Sequence, residues 1–246
     1  MFRLFCSAQD VTGTKIMITD SGAVHHFRDV LRVKAGEEAV VCDGAGNEYD
    51  CVIETADSNG LLLAIRSKNP PAPLRTVMIT AACAIPKKSK FEDIVDKLTQ
   101  VGVDRIIPML TERVIVKLDK RKEALRLSRW QKIALSAAQQ SQRRSLPQIS
   151  PVQSFQQVLQ ESKKAGFDLK LIPYLAGERK TLREALTGVR PKNILFLIGP
   201  EGDFSHKEAS SAVSAGFVPV SLGDSVLRVE TAAVSVASFI KLNEDR

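Results

Sequence analysis

LFLIGPEGDFSHKE, residues 195–208, decides how the rest of the chain is read. The apolar run Leu195-Phe196-Leu197-Ile198 stops at Gly199-Pro200-Glu201-Gly202. Ser205 and Glu208 then stand three apart, the spacing of a helix N-terminal capping box. A buried strand is expected to turn through a glycine loop into a helix. The next loop repeats the arrangement. Val218–Ser221 and Leu222 form an apolar run, Gly223-Asp224-Ser225-Val226-Leu227-Arg228 a loop, and 231–242 a helical pattern. In open α/β sheets, ligands bind where such loops leave the carboxyl ends of strands.

The segments before these loops alternate in the same way. Strands are expected at 76–82, 105–110, 169–174, 194–198 and 218–222. Helices are expected from the Ser89/Glu92 capping box to about Gly102, and over 121–142, 182–186, 207–215 and 231–242. Strand–helix alternation predicts a parallel sheet flanked by helices, an α/β fold. Residues 1–69 read differently. Short strands at 3–7, 15–19, 39–42, 48–55 and 61–66, separated by turns, predict a small antiparallel barrel. One helix, 22–33, interrupts it. Three prolines between Pro70 and Pro73 exclude regular structure. The boundary therefore falls there, giving domains 1–69 and 74–246.

Charge is concentrated rather than spread. Of the net +7, residues 113–144 carry +8, from ten Lys/Arg against two acids. A basic block on an otherwise balanced chain points to a polyanion partner or to a solvated helix face. On helix 22–33, His25, Arg28 and Arg32 form a second basic stripe. Helix 121–142 carries Lys122, Arg126 and Arg129 on one stripe and Leu127, Trp130, Ala134 and Ala137 on another. The four cysteines lie far apart and, with three histidines, give no metal-ligand spacing. They read as reduced thiols in a cytoplasmic protein, with no apolar run long enough for a membrane helix.

The glycine loops match neither GxxxxGK[ST] nor GxGxxG. A loop without Lys suits a neutral or cationic ligand bearing an aromatic base, and S-adenosylmethionine (SAM) fits that description. A purely structural glycine turn fits as well.

LIGPEGDFSHKE followed by SLGDSVLRVETAAV resembles the C-terminal signature of the bacterial 16S ribosomal RNA (uracil-N3) methyltransferase family, of the SPOUT class. The likeness extends through HHFRDVLRVKAGEEAVVCDGAGNEYD, KKSKFEDIVDKLTQVGVDRIIPMLTERV and RWQKIALSAAQQSQRRSLPQI. It implies a PUA-like N-terminal barrel, a C-terminal trefoil knot, SAM as methyl donor, 16S rRNA of the small ribosomal subunit as partner, and a homodimer. The implied cofactor residues are Pro173, Leu197, Ile198, Gly199, Pro200, Glu201, Gly202, Leu222, Gly223, Val226, Leu227, Arg228 and Thr231. Arg228 and Glu230 are the catalytic candidates. Arg3, His25, Arg28, Arg32, Lys88, Arg113, Gln140, Arg143 and Arg144 are the RNA-binding candidates. The sequence departs from the family pattern at Asp203, Ser225, Gln139-Gln140 and Gln100-Val101, where Gly, Arg, Glu-Gln and Glu-Leu are usual.

Overall fold

A computed structural model describes residues 2–44, 46–70, 77–86, 91–113 and 120–243. Lys88, Ser89 of the expected capping box and the prolines at 71 and 73 lie outside the described residues. The chain forms two compact units, 1–74 with 138–146, and 75–137 with 147–246. Residues 138–146, which a cut near residue 70 assigns to the second unit, thus group with the first.

The first unit holds one six-stranded sheet. Its strands are β1 (Phe2–Phe5), β2 (Val11–Thr12), β3 (Lys15–Ile18), β4 (Glu38–Cys42), β5 (Glu48–Asp57) and β6 (Gly60–Asn69), in the order β1-β4-β5-β6-β3-β2. Leu4 from one end of that order and Ile16 from the other share one core cluster with Val41, Ile53 and Leu63. The sheet is therefore rolled around its own apolar face. The pairing is antiparallel except for β1, which runs parallel to β4. This corrects the all-antiparallel expectation. A long crossover through β2, β3 and a helix separates β1 from β4, so no hairpin fixes their relative direction. That helix is also not continuous. It runs as α1 (Ser21–His25) and then a π-helical turn, His26–Val30.

The second unit is built on a fully parallel sheet. Its strands are β7 (Met78–Ala84), β8 (Arg105–Leu110), β9 (Gln148–Ile149), β10 (Gln153–Ser154), β11 (Leu169–Pro173), β12 (Lys180–Thr181), β13 (Asn193–Ile198) and β14 (Val218–Ser221). The order is β10-β8-β7-β13-β11-β14-β12, with β9 beside β8. The helices are α2 (Phe91–Val101), α3 (Lys120–Gln140), α4 (Phe155–Lys164), α5 (Leu182–Leu186), α6 (His206–Ser214) and α7 (Val229–Leu242). The continuous apolar run of β13 now has its reason. Ile194, Phe196 and Ile198 enter one core cluster, while Leu195 and Leu197 enter a second. A strand covered on both faces has no polar side to alternate with. On α2, Phe91, Ile94, Val95 and Leu98 are buried, at helical spacing, and α2 packs on α7. Trp130 of α3 is 1% exposed, and its ring centre lies 4.6 Å from that of Phe91.

The chain crosses back in this order. From β7 it moves outward through β8, returns past β7 to β11, and β13 then fills the place between β7 and β11. The carboxyl ends of β11, β13 and β14 are thereby adjacent, and the three loops that leave them converge.

Candidate cofactor and substrate site

The loop after β13 is a tight turn. Asp203 N–H donates to the Pro200 carbonyl at 2.9 Å. A Cβ built on Gly199 would lie 3.1 Å from the Phe204 ring, so a side chain there would press on a residue that is 1% exposed. Phe204 in turn packs against Phe155, ring centres 5.6 Å apart. Ser205 caps α6, its oxygen accepting from Glu208 N–H at 3.3 Å while the Glu208 carboxylate accepts from Ser205 N–H at 2.9 Å. The expected capping box is therefore present. Buried Glu208 also accepts the Glu112 N–H at 2.8 Å, and Ser205 Oγ donates to the Glu112 carboxylate at 2.6 Å. These bonds tie the end of β8 to the turn.

Between the three loops lies a cavity enclosing about 610 Å³, part of it open to solvent. Pro173, Ile198, Gly199, Pro200, Glu201, Leu222, Gly223, Val226 and Leu227 line it, as do Tyr174, Leu175, Arg179, Asp203, Val220, Ser225, Val229 and Ala232. Gly223 stands at φ +108, backbone that side-chain-bearing residues rarely adopt, and a Cβ there would meet nothing within 4 Å. Main chain is thus bared to the cavity. Among the described residues the lining holds two carboxylates, Glu201 and Asp203, against one cation, Arg179, and no Lys. That balance suits a ligand without phosphate and with positive charge, surrounded by apolar walls.

Four of the anticipated cofactor residues are not among those lining it. Leu197 is fully buried in the second core cluster, because alternation along β13 turns it to the face opposite Ile198. Gly202, Arg228 and Thr231 are exposed beside the cavity. Arg228 is the N-cap residue of α7, and its side chain makes no capping bond. Among the described residues its guanidinium has no hydrogen-bond or ion-pair partner. Glu230 sits half-buried in the first turn of α7, where an acid complements the helix dipole.

The RNA-binding candidates divide. Arg113 donates to the Gly202 carbonyl and, at 3.5 Å, to that of Asp203, so it braces the turn. Arg3 donates to Glu48 at 2.5 Å and to the Arg143 carbonyl at 3.5 Å. Arg144 stands 3.3 Å from the same Glu48 carboxylate and donates to the Pro70 carbonyl. Burial alone would raise the pKa of Glu48; hydrogen bonds from Arg3 and Asn69 and the charges of Arg3 and Arg144 hold it below the usual carboxylate value. Arg143 is only 8% exposed. Its expected phosphate contact is corrected on that ground, since a buried guanidinium does not present to a polyanion. Arg3 is largely turned inward as well. His25 and Arg28 are exposed but share Asp29, at 2.6 Å from His25 Nδ1 and 2.7 Å from Arg28 Nε. The Arg28 hydrogen bond and then that of His25 pull the Asp29 carboxyl down to about 2. Arg32 is exposed at φ +53, and Gln140 is exposed at the end of α3. On α3 the stripe Lys122, Arg126 and Arg129 faces solvent, with Arg129 3.3 Å from Glu92.

Among the described residues no group of His, Cys, Asp or Glu could hold a metal ion, and no helix is long and apolar enough to cross a membrane. All four cysteines are free thiols, and burial raises the pKa of Cys6 to about 12.

Comparison with known proteins identifies the family of the chain. Residues 73–241 match the RNA methyltransferase domain family and residues 18–66 the RNA methyltransferase PUA domain. The chain is 31% identical to ribosomal RNA small subunit methyltransferase E of Bacillus subtilis, over 88% of this chain and 86% of that protein. It is 33% identical to the Synechocystis protein of the same name, over 99% and 78%. Among solved structures, a Legionella pneumophila methyltransferase with bound SAM superposes with a TM-score of 0.88 at 31% identity, covering 98% of this chain and 97% of that one. The Neisseria gonorrhoeae small subunit methyltransferase E bound to SAM gives 0.85 at 27%, with the same coverage. The chain thus carries a PUA-like unit followed in sequence by a parallel-sheet domain of the SPOUT class. The chain belongs to the ribosomal RNA small subunit methyltransferase E family.

Proposed function

We propose that the protein transfers a methyl group from SAM to N3 of a specific uridine in 16S rRNA of the small ribosomal subunit. The observation that carries this reading is the cavity at the ends of β11, β13 and β14. Among the described residues its lining is largely apolar, holds no lysine and is richer in acid than in base, with bare backbone at Gly223. Those properties fit a sulfonium-bearing nucleoside and not a nucleotide phosphate. The cofactor loops 199–203 and 222–228 belong, in this reading, to the C-terminal trefoil knot implied by the resemblance to the SPOUT class.

When bound, SAM supplies an electrophilic methyl group. The protein's share is to hold the uracil ring in line with it, which orientation alone can accelerate strongly. Uracil N3 gives up its proton to solvent, the negative charge left on the ring spreads to the flanking carbonyl oxygens, and N3 then takes the methyl as its bond to sulfur breaks, leaving S-adenosylhomocysteine. Arg228, at the rim without a carboxylate of its own, is assigned to those oxygens, where a fixed pair of donors stabilises developing charge. Glu230 is assigned to the helix dipole rather than to proton removal. The RNA backbone is assigned to the exposed Lys122, Arg126 and Arg129 stripe, with Arg28, Arg32, Gln140 and Arg144 as further contacts, and the acting species to a homodimer.

Mass spectrometry of 16S rRNA from a strain lacking the gene tests the function. The expected result is loss of one 3-methyluridine, restored by the wild-type gene and not by an Arg228→Lys copy. Unchanged 3-methyluridine in the deletion strain would refute the assignment.

A further inference from the structure

Asp203 stands where the resembling family has glycine, and its carboxylate makes two bonds that a glycine lacks. Its φ is +59, the left-handed region that glycine enters freely and that Asp and Asn tolerate better than most residues. Both carboxylate oxygens are engaged by main chain. Oδ1 accepts the Phe204 N–H at 2.8 Å and Oδ2 accepts the Leu175 N–H at 3.0 Å. The first bond is local. The second crosses 28 residues of sequence, from the loop after β13 to the loop after β11.

Leu175 opens an exposed segment, residues 175–180. Tyr174 N–H donates to Val220 at 3.2 Å, and Arg179 donates to the Tyr174 carbonyl at 3.1 Å. Leu175, Arg179 and Asp203 all line the cavity. The bond from Asp203 is therefore a cross-link over one edge of it, made by an ionised acceptor. Charge-assisted bonds of this kind are roughly twice as strong as neutral ones. A glycine at 203 relaxes the turn but leaves the Leu175 N–H without this acceptor.

We propose that Asp203 is a positioning residue that latches the 174–179 segment to the 199–203 turn and so shapes the cavity for its cofactor. The inference rests on the reading that this cavity holds SAM. It does not give Asp203 contact with the reacting atoms, since both its oxygens are already used.

The test compares Asp203→Gly, Asp203→Asn and, as a control on the site itself, Ala232→Leu in the full-length protein. Asp203→Gly removes the latch without backbone strain. Its KM for SAM should rise about tenfold, a 1.4 kcal/mol change in binding, with kcat at saturating SAM close to wild type. Amide hydrogen exchange at Leu175 should quicken. Asp203→Asn keeps one acceptor oxygen and should fall between the two. Ala232→Leu fills the cavity wall and should weaken SAM whatever Asp203 does. Wild-type SAM affinity in Asp203→Gly, with affinity lost in Ala232→Leu, would overturn the latch alone. Unchanged affinity in both would overturn the site. A fall in kcat at saturation without a change in KM would also contradict the positioning role.

Discussion

The arginines of the N-terminal unit and the arginine at the cavity rim differ in their company. Arg3 and Arg144 converge on Glu48, and His25 and Arg28 on Asp29. Arg228 has no carboxylate among the described residues, although it caps a helix and lies exposed. The first group shares its charge with carboxylates of the protein, Arg3 with buried Glu48 and the exposed His25 and Arg28 with Asp29, so less of it is left for a ligand. Arg228 is exposed and leaves its donors open among the described residues, as the proposed contact with substrate requires. A basic residue in a sequence says that charge is present; the partner decides whether that charge serves the fold or a ligand.

The largest effect expected from this contrast is at Arg228. Arg228→Lys retains the charge and loses the planar pair of donors, so turnover should fall about 100- to 1,000-fold. Cofactor affinity should stay near wild type, because among the described residues the Arg228 side chain makes no bond that braces its loop. Single-turnover methylation across a SAM titration separates these quantities. Recovery of a near-wild-type rate at saturating SAM would make Arg228 a brace like Arg113 and dissolve the contrast.

Glu48→Gln attacks the other side. It leaves the inward-turned Arg3 without its counter-charge and should cost about 3 kcal/mol in stability, as for a broken buried pair. Denaturant unfolding measures this. The sign with pH follows from the depressed pKa of Glu48. The wild-type advantage is fully present above the ordinary carboxylate pKa and fades as pH falls through the lower folded value. An advantage that grew on acidification would contradict the pairing.

Two smaller effects sharpen the picture. Ala232→Leu should weaken SAM about tenfold, or 1.4 kcal/mol, in calorimetric titration, since Ala232 lines the cavity. Asp29→Asn should release Arg28 and His25. RNA affinity at low salt should then rise about twofold, with a steeper fall as salt is added, because one more counterion is displaced on binding. Unchanged affinity would mean that this stripe stays away from RNA.

Much of the second unit was legible in the sequence because its signals are local. The β13 run, the Gly199–Gly202 turn and the Ser205/Glu208 capping box all lie within 14 consecutive residues. The helix α4 was missed although Ser154 and Gln157 form a capping box of the same kind. Its apolar residues, Phe155, Val158 and Leu159, are few, and no strand-like run precedes it. The π-helical turn at His26–Val30 was not legible, since a 3.6-residue stripe of basic residues looks regular however the backbone is wound. Charge partners were the least visible. Glu48 and Arg144 lie 96 positions apart, and nothing in either segment announces the other. Asp203 shows the same limit. Its departure from glycine was plain in the sequence, but its bond to Leu175 follows only from adjacent strand ends.

The most direct test of the whole account is where the methyl group goes. Purified protein is given isotopically labelled SAM and small ribosomal subunits from a strain lacking the gene. The rRNA is then digested and its nucleosides are identified by mass spectrometry. Label is expected in 3-methyluridine from a single 16S position, and almost none with Arg228→Lys at saturating SAM. Label in another nucleoside, or no label from a protein that binds SAM, would contradict it.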